Sequence, residues 1–163
     1  MWKLWNLNVN LLLALFKNIQ RSGKNFLFVK QIKIFYDLGI RIAQLTYNTQ
    51  NLVGSGCWET SDGGLSDFGK DVVLEMNRLG MIIDLSHVGP KTSSDTINVS
   101  KSPVTYTHCC PALKKHPRNK TDSQLKEIAN KGGMIGFASY TPFLPKGSDS
   151  NIDDCISVMD YLI

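Results

Sequence analysis

The order of apolar patterns along this chain predicts an α/β fold built on a parallel sheet. Short β-branched runs alternate with stretches of helical periodicity, glycines stand where the helical stretches should stop, and 163 residues suffice for one domain with a core. Such alternation gives parallel strands joined by right-handed crossovers. Four strands are legible. A complete (β/α)8 barrel takes ~250 residues, so the chain holds either about half of one or an open doubly wound sheet. The alternation fits both.

The elements follow in order. From Phe28, the spacing of Val29, Ile32, Phe35 and Tyr36 predicts a helix, and Gly39 sits where a C-terminal glycine belongs. Ile40–Thr46 alternates as a strand does. Residues 47–64 then form a polar, glycine-bearing loop longer than the usual connection, which points to a functional loop. Ser66 is placed to cap a helix carrying Phe68, Val72, Met76 and Leu79, with Gly80 as its stop. Met81–Leu85 reads as a short buried strand ending at Ser86-His87, residues 91–100 as a helix, and Pro103–Thr107 as a strand ending at His108. Thr121 with Gln124 makes a capping box for a helix through Ala129, stopped by Gly132-Gly133. Met134–Ala138 is the fourth strand, and a last helix begun near Asp153 is expected to run to Ile163.

Composition narrows the function classes. The net charge of +4 misleads, because residues 1–36 hold six basic side chains and no acid, leaving 12 basic against 14 acidic residues for the rest. A nucleic-acid footprint needs basic residues on the working elements, and none is expected here. Residues 1–27 read as an atypical basic N-terminal segment ahead of a partial β/α domain over 28–163. No apolar stretch reaches the ~20 residues of a transmembrane helix, and no small-residue cleavage site follows Leu11–Phe16, so neither a membrane span nor a secretory signal is expected. Four cysteines without a CxxC pair exclude a zinc ribbon, argue against a disulfide scaffold, and favour a cytoplasmic setting. Gly54-Ser55-Gly56 lacks the third glycine of a dinucleotide fingerprint, and neither a phosphate loop nor a GxSxG elbow occurs.

What remains is positional. His87 and His108 each fall just past a predicted strand, one βα unit apart, at the sheet edge where parallel folds place chemistry. Neighbouring strands lie ~4.8 Å apart, so two such imidazoles can converge on one ion. Spacing alone weighs this evenly against two histidines that merely cap loop hydrogen bonds. Cys109 and Cys110 read as small loop residues, and His116, between lysine and proline, as exposed. Arg118-Asn119 offers a guanidinium that could hold a carboxylate in bidentate fashion, although most loop arginines are simply solvated.

Together the segments YDLGIR at 36–41, LTYN at 45–48, GLSDFG at 64–69, MNRLGMIIDLSH at 76–87, SPVTYTH at 102–108 and RN at 118–119 resemble the membrane (renal) dipeptidase family, the M19 metallopeptidases, in its bacterial form. The resemblance implies a (β/α)8 barrel of which this chain supplies about half. It implies two zinc ions at the C-terminal face and hydrolysis of dipeptides by metal-activated water. By position, His87 and His108 would be ligands of one zinc, and Arg118 would hold the dipeptide's terminal carboxylate. Tyr47 falls where some members contact substrate through a histidine. The family's first-strand His-x-Asp pair, its metal-bridging glutamate and its late-strand aspartate have no counterpart here, so the chain looks like a central fragment with no complete catalytic set. The alternative is a non-catalytic half-barrel or interaction module of the same lineage, with an unpaired sheet edge able to associate, for instance as a homodimer.

Overall fold

A computed structural model describes residues 25–163. The basic segment expected over 1–27 therefore falls, up to residue 24, outside the described residues. The elements are α1 (Asn25–Asp37), β1 (Ile42–Gln44), α2 (Asp67–Leu79), β2 (Ile82–Asp84), α3 (Pro90–Val99), β3 (Thr105–Cys109), α4 (Asp122–Asn130), β4 (Met134–Phe137) and α5 (Ile152–Tyr161), with two 3-10 turns at Thr141–Phe143 and Gly147–Asp149.

Local chemistry explains the boundaries. Ser66 Oγ accepts the Gly69 amide at 2.9 Å and opens α2, while Gly80, in the left-handed region at φ 71°, closes it. Thr121 and Gln124 form the reciprocal capping box of α4. Several expected boundaries move. The first strand shrinks to Ile42–Gln44, because only those residues find partners on β2. The third shifts to Thr105–Cys109, and α5 ends at Tyr161 with Leu162 as its cap. The 3-10 turns between β4 and α5 lie where no element was expected.

All strand pairs are parallel and the order is β1-β2-β3-β4. A doubly wound sheet reverses its order at a switch point; here there is none. The helices follow suit, α1 packing on α2, α2 on α3, and α3 on α4. Sequential strands with neighbouring helices side by side on one face form the wall of a β/α barrel. The chain is thus an α/β partial barrel.

The core lies between sheet and helices. Ile83 and Tyr106 from the strands, with Leu85 and Val104 beside them, meet Val72, Val73, Met76, Ile97, Leu125 and Ile128 from the helices. Each such side chain contributes ~1.5–3 kcal/mol on burial. One irregularity interrupts the sheet: Tyr106 pairs with Ile135 and Cys109 with Phe137, so β3 carries one residue more than β4 over this interval. Gly136 stands opposite, with the Thr107 carbonyl so near that no Cβ would fit.

Candidate metal and substrate site

The C-terminal ends of β2 and β3 converge on a buried carboxylate. Asp84, the last residue of β2, is fully buried and accepts five hydrogen bonds. Oδ1 takes the Ser86 amide at 2.9 Å, the Ser86 hydroxyl at 2.6 Å and the Thr107 amide at 3.1 Å. Oδ2 takes Gln44 Nε2 at 2.7 Å and the Thr107 hydroxyl at 2.6 Å. Burial alone would raise this acid, but the bonds from Ser86, Thr107 and Gln44 outweigh it and hold the carboxyl below its ordinary value.

That network sets the histidines. The Thr107 hydroxyl spends its proton on Asp84, so its oxygen must accept from His108 Nδ1, 2.7 Å away. His87 Nδ1 lies 2.7 Å from Asn48 Oδ1, an oxygen that can only accept. Both imidazoles are thereby assigned the Nδ1–H tautomer, and their Nε2 atoms face each other at 3.0 Å. Burial is the main cause holding both rings neutral, driving His87 down to about 3 with help from Arg118. His108 is lowered in the same way, against the opposing pull of Asp84.

Two neutral nitrogens with lone pairs aimed at one point have no proton to share. A cation between them resolves the conflict. Two nitrogens bound to one tetrahedral zinc at ~2.0–2.1 Å sit roughly 3.3 Å apart, close to the spacing found. Asp84 behind Thr107 supplies the carboxylate support that orients ligand histidines in metalloproteins. The donor set fits a zinc ion as two of its ligands. Among the described residues no group of three or more His, Cys, Asp or Glu gathers in metal-binding geometry.

The other candidates collect around this pair. The Tyr47 ring, half exposed, stacks on His87 with centroids 4.0 Å apart and planes at 20°. Arg118 is not solvated as a loop arginine would be. It is buried, Nη2 donates to the His108 carbonyl at 3.2 Å, and Nη1 has no hydrogen-bond partner. The loop over 47–64 borders the mouth: Gly56 bridges to Val88, and the Cys57 amide donates to the His87 carbonyl at 3.0 Å. Remote Asp62 ties this loop to α3, accepting the Lys91 and Thr92 amides that the N-cap residue Gly89 leaves uncapped.

Several expectations are corrected. His108 lies within β3 and not past its end, because the extra residue of that strand extends pairing to Cys109. Cys109 is the last residue of β3 and not a loop residue, whereas Cys110 stands in the loop that follows, and both are buried. Burial holds both thiols protonated, Cys109 up to about 12 and Cys110 up to about 11. All four cysteines are free. His116 is half-buried against Phe143, centroids 4.7 Å apart.

The sequence reading missed Asp84, Asn48 and Lys120. Lys120 is buried, its Nζ donating to the Val88 carbonyl at 3.1 Å and reaching Leu85 O at 3.5 Å, so it brackets the turn bearing His87. It also lies 4.7 Å over the Tyr106 ring. Burial lowers it to about 8. The short spacing from Arg118 was the only sequence signal available.

The family model for membrane dipeptidase, peptidase family M19, matches residues 26–163. The chain belongs to this family. An uncharacterized dipeptidase of Schizosaccharomyces pombe is 36% identical over 139 residues, covering 81% of this chain and 33% of its own length. Dipeptidase verJ of Clonostachys rogersoniana is 34% identical over 130 residues, covering 78% and 32%. Among solved structures, an amidohydrolase from Pseudomonas aeruginosa superposes with a TM-score of 0.80 at 54% identity, over 82% of this chain and 41% of that one. A metallo peptidase from Rhodobacter sphaeroides, liganded with a phosphinate mimic of the dipeptide L-Ala-D-Ala, gives 0.74 at 30% identity, over 81% and 41%. The M19 chain therefore spans about a third of the curated relatives and about two fifths of the solved ones.

Proposed function

We propose that this chain is the central part of a zinc-dependent dipeptidase. In this reading His87 and His108 hold one zinc through Nε2, and Arg118 with Tyr47 receives the dipeptide. The observation that carries the reading is the pair of Nε2 lone pairs facing each other at 3.0 Å with both Nδ1 protons committed elsewhere. A bound zinc supplies Lewis acidity toward a carbonyl oxygen and acidifies water.

The remaining work belongs to the chain's own side chains. Arg118 presents a guanidinium whose Nη1 is unsatisfied, and a substrate carboxylate would complete it in bidentate fashion. Fixing that terminus orients the peptide bond and favours dipeptides over longer chains. The Tyr47 ring covers one face of His87 and walls the same mouth. The Asp84 network keeps His108 in the tautomer that leaves Nε2 free. Two ligands fall short of the four a zinc takes. The resemblance assigns the others to the His-x-Asp pair and bridging glutamate absent from this sequence.

Zinc titration of the chain against a chromophoric chelator tests the ligand assignment. Weak one-to-one uptake is expected, lost in the His87→Ala, His108→Ala double variant. Tight uptake that survives the double substitution would overturn it. A chimera completing the barrel with strands of an M19 relative should release free amino acids from dipeptides only with zinc present. A folded chimera that loads zinc yet cleaves no dipeptide in a broad panel would sink the activity.

A further inference from the structure

We propose that Asn48 is a positioning residue: its side-chain oxygen fixes the tautomer and rotation of His87, so that Nε2 is presented to the metal. The inference rests on the zinc reading above and deepens it. Asn48 is the sole non-glycine with positive φ among the described residues, at 65°. The Thr49 amide donates to the Tyr47 carbonyl at 2.8 Å, two residues back, which closes a γ-turn with Asn48 at its centre. With positive φ this is the uncommon, strained form of that turn. Strain of this kind persists only where the surroundings over-determine it, and it clusters at functional sites.

The surroundings here do so. The Trp58 amide donates to the Asn48 carbonyl at 2.9 Å, and the Cys57 amide to the His87 carbonyl at 3.0 Å. Gly56 lies so close to the Asn48 carbonyl and the Thr49 amide that no Cβ would fit. The segment 56–58 thus lies between the turn and the backbone of His87, locking each relative to the other. Within that frame two consecutive residues serve one imidazole: Tyr47 stacks on its face and Asn48 Oδ1 meets its edge at 2.7 Å. An extended chain would send neighbouring side chains to opposite sides; the tight reversal brings both to His87. The Cys57 thiol donates to the same Oδ1 at 3.6 Å.

A plainer role competes: asparagine tolerates positive φ, so Asn48 could serve the turn alone. Two variants separate the roles. Asn48→Gly keeps the turn without strain and removes the oxygen; Asn48→Asp keeps an acceptor in place. The His87 tautomer is read by long-range proton–nitrogen NMR on the zinc-free chain, and zinc affinity by chelator competition. Asn48→Gly should yield a mixed His87 tautomer and ~10–100-fold weaker zinc binding. Asn48→Asp should retain the Nδ1–H form and bind zinc at least as well as the parent. An Asn48→Gly chain with the parental tautomer overturns the proposal. So does an Asn48→Asp chain that loses it. The tautomer is read without metal, so a parent chain that takes up no zinc would fail the functional reading while the tautomer comparison still decides on Asn48.

Discussion

The two flanks of this sheet differ in how completely they are enclosed. On the β2–β3 side, Asp84, Ser86, Ile83 and Leu85 are fully buried, and the polar groups among them are joined in one network. On the β4–α5 side, Met134, Tyr140, Ile152, Ile156 and Met159 stand exposed, and a small separate core of Cys110, Phe143, Leu144 and Val158 holds the end together. The difference shows which part of the wall is self-sufficient. The histidine pair sits on the flank where the Asp84 carboxylate finds all five of its donors within this chain, which is where a preorganised site has to be.

Removing the centre of that flank should have the largest effect. Asp84→Ala leaves five donors without their acceptor, and we expect a loss of ~3–5 kcal/mol in urea unfolding together with loss of the His87–His108 pairing. A loss below ~1 kcal/mol would show that the network is ornamental to the fold. A milder break lies at the loop. Asp62→Ala removes the acceptor for the Lys91 and Thr92 amides and should cost ~1 kcal/mol, as loss of a helix N-cap does. Burial would raise Asp62, but its bonds to Gly64, Thr92 and Lys91 hold it below its ordinary value. Its folded value is therefore depressed. Its contribution is full above the unfolded carboxyl value of ~3.9 and is lost as pH falls through the lower folded one. Acid titration of parent and variant should then converge below that range; curves that stay apart there would assign the bond energy elsewhere. The smallest effect is expected on the other flank. Ile152→Ser with Ile156→Ser should change stability by no more than ~0.5 kcal/mol, since both side chains already face water. A larger loss would mean that α5 buries them against something in solution, and sedimentation would reveal the partner copy.

How much of this was legible in the sequence follows from how local each feature is. Ser66, Thr121 with Gln124, and the stops Gly39, Gly80 and Gly132 act on their own few residues, and each marks the boundary it predicts. His87 and His108 were legible as a pair because parallel strands bring successive strand ends together. Asp84 was hidden inside an apolar run, where nothing distinguishes a strand-end acid from a buried network centre. Asn48 and His87 lie 39 residues apart and Lys120 and Val88 lie 32 apart, so their contacts exist only once the sheet has formed. Arg118 was legible as a carboxylate-binding candidate but its burial was not, because that depends on its loop returning to the end of β3 through the Lys120–Cys110 and Ala112–Lys120 backbone bonds and the Arg118 bond to the His108 carbonyl.

The surplus residue in β3 has a consequence for how this sequence can change. In an unbroken strand Thr107 and His108 would point to opposite sides of the sheet. Here Thr107 bonds Asp84 while His108 faces His87, so both serve the same mouth. Substitutions elsewhere in β3 alter packing one side chain at a time. Only Thr107 and His108 stand between Tyr106 and Cys109, so deleting one residue there would restore the ladder and leave a single position where the site uses two. The site is thus written partly in chain length, so an alignment gap at this point should abolish it more surely than a poor match.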